Sequence, residues 1–124
     1  VYDDLRSYLD ARKYDARALG YDPYNSDTFT RRWAIDNGEF FMEKVIQGMR
    51  TESVPLGELK KMAENRMLVF DQLIMSWTMG NAQAKVDLNG NQMLVKDRYD
   101  AKVDNVSALM DAYVVVKLHK EQFE

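Results

Sequence analysis

Cysteine is absent from this 124-residue chain and histidine occurs once. Without thiols there is neither a disulfide framework nor a thiolate metal site, a composition that fits a reducing compartment. One imidazole and no thiol leave too few of the ligands zinc prefers, so any metal held here is a hard ion on oxygen donors. No apolar run approaches the roughly 20 residues needed to cross a bilayer. Nor does a basic stretch followed by an apolar one open the chain, and no membrane partner is expected. Positive charge is not in excess either: the net charge of -3 lacks the basic surplus of a nucleic-acid coat. A nuclease remains compatible with it, because acidic metal ligands and a local basic strip coexist in such enzymes. No G-x-x-x-x-G-K-[ST] phosphate loop occurs, and there is no internal repeat or low-complexity tract.

What is present is an ordinary globular composition, 46% apolar and 30% charged. Residues 1–124 make one domain by size, long enough to remove roughly two thirds of its unfolded surface from water.

Tyr2, Leu5, Leu9 and Ala11, with charges between them, predict a surface helix over Tyr2 to Tyr14. Arg17 to Tyr21 is short, apolar and stopped by Pro23, the pattern of a strand running into a turn. From Thr28 to Met49, the spacing of Phe29, Trp33, Ile35, Phe40, Phe41, Val45 and Ile46 predicts helix, interrupted near Asn37-Gly38 and ended at Gly48. Pro55 suits a first helical turn, with Leu56, Leu59, Met62, Ala63 and Met67 following at helical spacing. Leu68 to Met79 is apolar and fits a strand plus a short helix; periodicity alone leaves both open. Ala84, Val86 and Leu88 alternate with polar residues, Asn89-Gly90 supplies a turn, and Met93 and Val95 resume the alternation: a β-hairpin over Gln83 to Lys96. A last helix is expected with Asp104 as its N-cap and Val106, Leu109, Met110, Tyr113, Val114 and Leu118 as its apolar stripe.

Two carboxylates stand at the ends of elements, Asp22 where the short strand meets Pro23 and Asp104 where the last helix begins. Asp before Pro suits a turn and Asp at a helix start suits a cap, but two such ends meeting in space would make a cation site. Asp111, seven residues beyond Asp104, falls on a similar helix face about 10 Å along the axis. It is expected to be a solvated acid or one supporting the site from behind. Lys85, Lys96, Arg98 and Lys102 form the main basic cluster, on or just after the hairpin, where cations suit either a solvated face or a DNA backbone. Trp33, Phe40, Phe41 and Trp77 read as core, the eight methionines as packing, and His119 as exposed.

The order of the pieces carries more than any single one. Gly20-Tyr21-Asp22-Pro23-Tyr24-Asn25 comes first, then Gln47-Gly48 followed by Pro55-Leu56 and a helix. Met79-Gly80-Asn81-Ala82 then leads into Asp87-Leu88-Asn89-Gly90-Asn91 and Lys96, and Lys102-Val103-Asp104-Asn105-Val106-Ser107-Ala108-Leu109-Met110 closes the series. Together these span nearly the whole chain and resemble the C-terminal nuclease domain of the large terminase subunit of tailed double-stranded DNA phages.

The resemblance implies an RNase H-like α/β fold, an endonuclease that cuts concatemeric viral DNA during packaging, and Mg²⁺ or Mn²⁺ on three acidic positions. Two ions about 3.5 to 4 Å apart would serve, one activating water and the other stabilising the leaving oxygen. Asp22 matches the second acid and Asp104 the third. The first is missing: in the family it lies on an earlier strand, and only 21 residues precede Asp22 here. Asp3 and Asp4 fall in a helical pattern and do not match it. The resemblance thus implies a mainly helical α/β fragment, with a short central strand and one hairpin, lacking the first strands of the fold. It is expected to bind metal weakly and to cut DNA poorly or not at all alone. Double-stranded DNA, and through the whole protein the terminase small subunit and the portal, are the implied partners, in the cytoplasm of the bacterial host. Lys96 falls within the family-like stretch and is the leading DNA contact of the basic cluster. A lone strand with open edges is a pairing hazard, so self-association through Arg17 to Tyr21, or a rearranged helical packing, is expected. The competing reading is a non-catalytic helical interaction domain, in which Asp22 is only a turn residue and Asp104 only a cap.

Overall fold

The computed structural model describes residues 1–39, 41–70, 73–96 and 98–123, a mixed α/β arrangement in which helices surround two short pairs of strands. Helix α1 (Tyr2–Ala11) lies on the surface and is anchored through Tyr2, its one buried residue. The Tyr2 ring meets Phe29 edge-on at 5.2 Å, its hydroxyl donates to Asp36 Oδ2 at 2.5 Å, and Arg32 lies over the ring while pairing with Asp3. These contacts bind α1 to α2 (Asp27–Asn37), which buries Trp33. Strand β1 (Leu19–Tyr21) leads from one helix to the other.

The predicted long helix over residues 28–49 is two different structures. Gly38, at φ +84°, ends α2, and Met42–Lys44 form strand β2, parallel to β1 with Leu19 opposite Met42, Gly20 opposite Glu43 and Tyr21 opposite Lys44. The apolar spacing fits a helix locally, but glycine at positive φ stops it and pairing with β1 takes up the backbone groups beyond. Arg17 to Tyr21 therefore does not contain a lone strand. Phe40, expected in the core, lies outside the described residues.

Gly48 begins a helix instead of ending one: α3 runs Met49–Glu64 with Pro55 well inside it, not in its first turn. Lacking an N–H, Pro55 cannot bond the Thr51 carbonyl, and its buried ring supplies packing in compensation. Helix α4 (Leu73–Asn81) resolves the ambiguous stretch as helix, with residues 68–70 irregular. The hairpin is as expected, β3 (Ala82–Val86) pairing antiparallel with β4 (Gln92–Lys96) around Asn89-Gly90. In its turn the Asp87 carboxylate accepts the backbone N–H groups of Asn89 and Asn91.

Helix α5 (Asp104–Leu118) is the central element, burying Val106, Met110 and Val115. It packs against β1, α3 and α4. Glu58 of α3 accepts from the Tyr113 hydroxyl and from Lys117 Nζ, pinning α3 to the outer face of α5. Val45, Leu59, Ala101 and Val103 complete the apolar centre. Two expectations fail here. Trp77 is 55% exposed, because α4 turns Thr78 inward in its place. His119 is not free in solvent: its Nε2 lies 2.6 Å from Glu43 Oε1 and its ring meets Phe41 edge-on, fastening the end of α5 to β2. No described helix is long and apolar enough to cross a membrane.

Candidate functional site

Parallel strands deliver their C-terminal ends to one side, and ligands of open α/β sheets bind beyond those ends. Asp22 follows β1 directly, and Gln47 lies three residues beyond β2. Val45 N–H donates to the Tyr21 carbonyl at 2.8 Å, so the two exits run side by side. Asp22 is half-buried; its Oδ1 accepts the Tyr24 amide at 2.9 Å, closing the turn at Pro23, and its Oδ2 accepts from Gln47 Nε2 at 3.0 Å.

Asp104 lines the same cleft as Asp22, from the start of α5. It is the first residue of α5 and not its N-cap, a position held by Val103, whose side chain makes no capping hydrogen bond. Its carboxylate is exposed, close to the positive end of the helix dipole. Asp22 and Asp104, 82 positions apart in the chain, line one cleft of about 790 Å³ together with Gln47, Glu52, Lys96 and Ser107.

The basic residues divide. Lys96, at the end of β4, lines the cleft. Lys85 stands opposite Met93, out of step with the Ala82–Lys96 pair, so the pleat directs it to the other face of the hairpin. Arg98 pairs with Asp100 on the surface, and Lys102 is exposed just ahead of α5.

Two polar groups of the cleft carry no role in the sequence reading. Gln47 belongs to the quoted Gln47-Gly48 stretch, although nothing there points to a contact with Asp22. Glu52 is 3% exposed, and its Oε2 accepts the Gly48 amide at 2.6 Å. The signal for it was an acid in the first turn of a helix, where a side chain returns to the capping amide.

Asp111 is half-buried behind the cleft, its backbone against Gly20 of β1. Burial, then the negative charges of Asp22 and Glu52, raise its pKa to about 6. A carboxyl whose folded pKa is raised holds its proton more tightly folded than unfolded. Its contribution to stability is therefore greatest below about pH 4, falls as pH rises to about 6 and stays low above that. Asp111→Asn is expected to remove this slope and to raise stability at pH 7 by on the order of 1–3 kcal/mol. Urea unfolding of parent and variant between pH 4 and 8 measures the difference.

The donors the cleft offers a cation are oxygens, from the carboxylates of Asp22, Asp104 and Glu52 and the hydroxyl of Ser107. Such donors suit a hard, largely hydrated Mg²⁺ or Mn²⁺. Among the described residues no three His, Asp or Glu side chains are gathered closely enough to enclose a metal ion, so the fit is to an ion held from one side.

A family model described as the endonuclease domain of the terminase large subunit matches residues 4–120. Among solved structures, the crystal structure of the HK97 bacteriophage large terminase is similar, with a TM-score of 0.75 at 16% identity. That similarity, one of fold, covers 91% of this chain and 23% of the HK97 chain, so the chain spans about a quarter of that protein. No curated protein matches.

Proposed function

This chain belongs to the family of terminase large-subunit endonuclease domains, and on that premise we propose that its cleft is part of a metal-dependent nuclease that cuts double-stranded DNA during phage packaging. The observation that carries the proposal is that Asp22 and Asp104, 82 positions apart in the chain, line one cleft together with Lys96. In this reading the fold is RNase H-like, and its first strands and first acid lie elsewhere in the large subunit. The small subunit and the portal are partners of that whole protein, which works in the host cytoplasm.

Each residue has a stated task. Asp22, fixed at the end of a strand, and Asp104, fixed at the start of a helix, would hold Mg²⁺ or Mn²⁺. Such an ion would supply Lewis-acid chemistry there, lowering the pKa of a water and offsetting negative charge on the phosphate. Lys96 draws the scissile phosphate into the cleft, and Arg98 and Lys102 hold the backbone beside it. Lys85, across the hairpin, adds to the general attraction for DNA.

Two carboxylates leave a divalent ion mostly hydrated, so binding to this chain is expected to be weak, with Kd on the order of 10⁻⁴–10⁻³ M. Mn²⁺ titrated into the ¹⁵N-labelled chain should broaden the amide signals of Asp22, Asp104 and Ser107 before all others. Broadening spread over the surface acids without preference for these positions would support the non-catalytic interaction domain instead.

A further inference from the structure

Resting on the nuclease reading above, we propose that Gln47 is a positioning residue for the metal-binding carboxylate of Asp22, and that Glu52 holds Gln47 in place through the Gly48 amide. Asp22 meets one donor on each oxygen: the Tyr24 amide on Oδ1 and Gln47 Nε2 on Oδ2. A carboxylate oxygen has two lone pairs, so each oxygen keeps one for a cation while the plane of the group is fixed. The chemical type of the second donor matters. A lysine or arginine at position 47 would neutralise Asp22 and compete with the metal, whereas the neutral amide orients the carboxylate and leaves its charge intact.

Gln47 is itself exposed and needs support, which comes from its backbone on both sides. Val45, two residues before it, is buried and bonded to the end of β1. Gly48, directly after it, takes φ +140°, a conformation open to glycine, and donates its N–H to Glu52 Oε2 at 2.6 Å. Burying a carboxylate costs free energy unless strong partners offset it. Glu52 has a charge-assisted hydrogen bond and the positive end of α3. The result is a corner held from both sides, with the Gln47 amide aimed at Asp22 Oδ2.

The test measures Mn²⁺ affinity of this chain directly, by the electron paramagnetic resonance signal of free Mn²⁺, and therefore does not depend on DNA cleavage. Gln47→Ala is expected to weaken Mn²⁺ binding about 10- to 100-fold while Tm stays within a degree or two, since the residue is exposed. Gln47→Lys should weaken it further by pairing with Asp22. Glu52→Gln, which keeps the acceptor oxygen and the packing, should show a smaller loss. A second readout needs no metal: the side-chain amide signals of Gln47 should move in Asp22→Asn and stay in place in Asp104→Asn. Parent-like Mn²⁺ affinity in Gln47→Ala, alongside lost binding in Asp22→Asn, overturns the positioning role alone. Unchanged affinity in Asp22→Asn removes the nuclease reading and this inference with it.

Discussion

Asp22→Asn and Asp104→Asn, made singly in a terminase large subunit carrying this domain, are each expected to lower Mn²⁺-dependent plasmid cleavage by at least about a hundredfold. Losing a residue that only supports a metal ligand costs about 10- to 100-fold, so loss of a ligand sets that range as its lower bound. Both substitutions preserve shape. Asn at position 22 still offers an oxygen to the Tyr24 amide, which closes the turn. Position 104 is not the N-cap of α5, which is Val103, and removing the charge from the helix start costs about 0.3–1 kcal/mol. A change of activity without a comparable change of Tm therefore isolates the chemistry from the fold.

Groups acting on one metal centre are not additive, so the double variant should cut hardly more slowly than either single one. Lys96→Ala supplies the contrast. A phosphate contact positions DNA and contributes to salt dependence. Its loss should raise the DNA concentration needed and reduce the salt slope by about one, with much of kcat retained at saturating DNA. Cleavage unchanged in both aspartate variants would mean that Asp22 serves only the turn and Asp104 only the helix start, as in a non-catalytic interaction domain.

The parts of the molecule legible in the sequence are those encoded locally. The Asn89-Gly90 hairpin, the strand before Pro23 and the last helix each have their determinants within a few residues, and all three form where expected. The errors have a common origin in contacts between distant residues. Met42–Lys44 become a strand because β1 lies beside them. Met49–Val54 become helix because Gly48 and Glu52 close its start. Trp77 and Thr78 differ in burial according to which face of α4 meets the rest of the molecule. The site was legible as two separate acids; their arrival in one cleft depends on β1 and α5 approaching each other. Glu52 and Gln47 were hidden because their significance lies in the partners at Gly48 and Asp22, which residue type alone does not reveal.

That approach of strand to helix rests on Gly20, and Gly20→Ala is expected to cost about 3 kcal/mol, lowering Tm by roughly 10–15 °C. A Cβ at this position would lie 2.6 Å from the Asp111 carbonyl oxygen and 2.6 Å from Val115 Cγ2. The first of these is backbone and cannot swing aside, so α5 must retreat from β1 or the strand must bend. Gly80→Ala makes the same chemical change within α4, where a Cβ meets nothing within 4 Å. There the gain in helix propensity should stabilise by about 0.5–1 kcal/mol. Opposite signs for one methyl group, measured by thermal and urea unfolding, separate close packing from propensity. The effect also extends to the cleft, because α5 carries Asp104 at its start and β1 carries Asp22 at its end. If the methyl group at position 20 forces these elements apart, the surviving folded molecules should bind Mn²⁺ more weakly than the parent, although neither carboxylate has been altered. Parent-like stability and affinity in Gly20→Ala would show that helix and strand can separate without consequence, and would remove the structural reason for the two acids sharing one cleft.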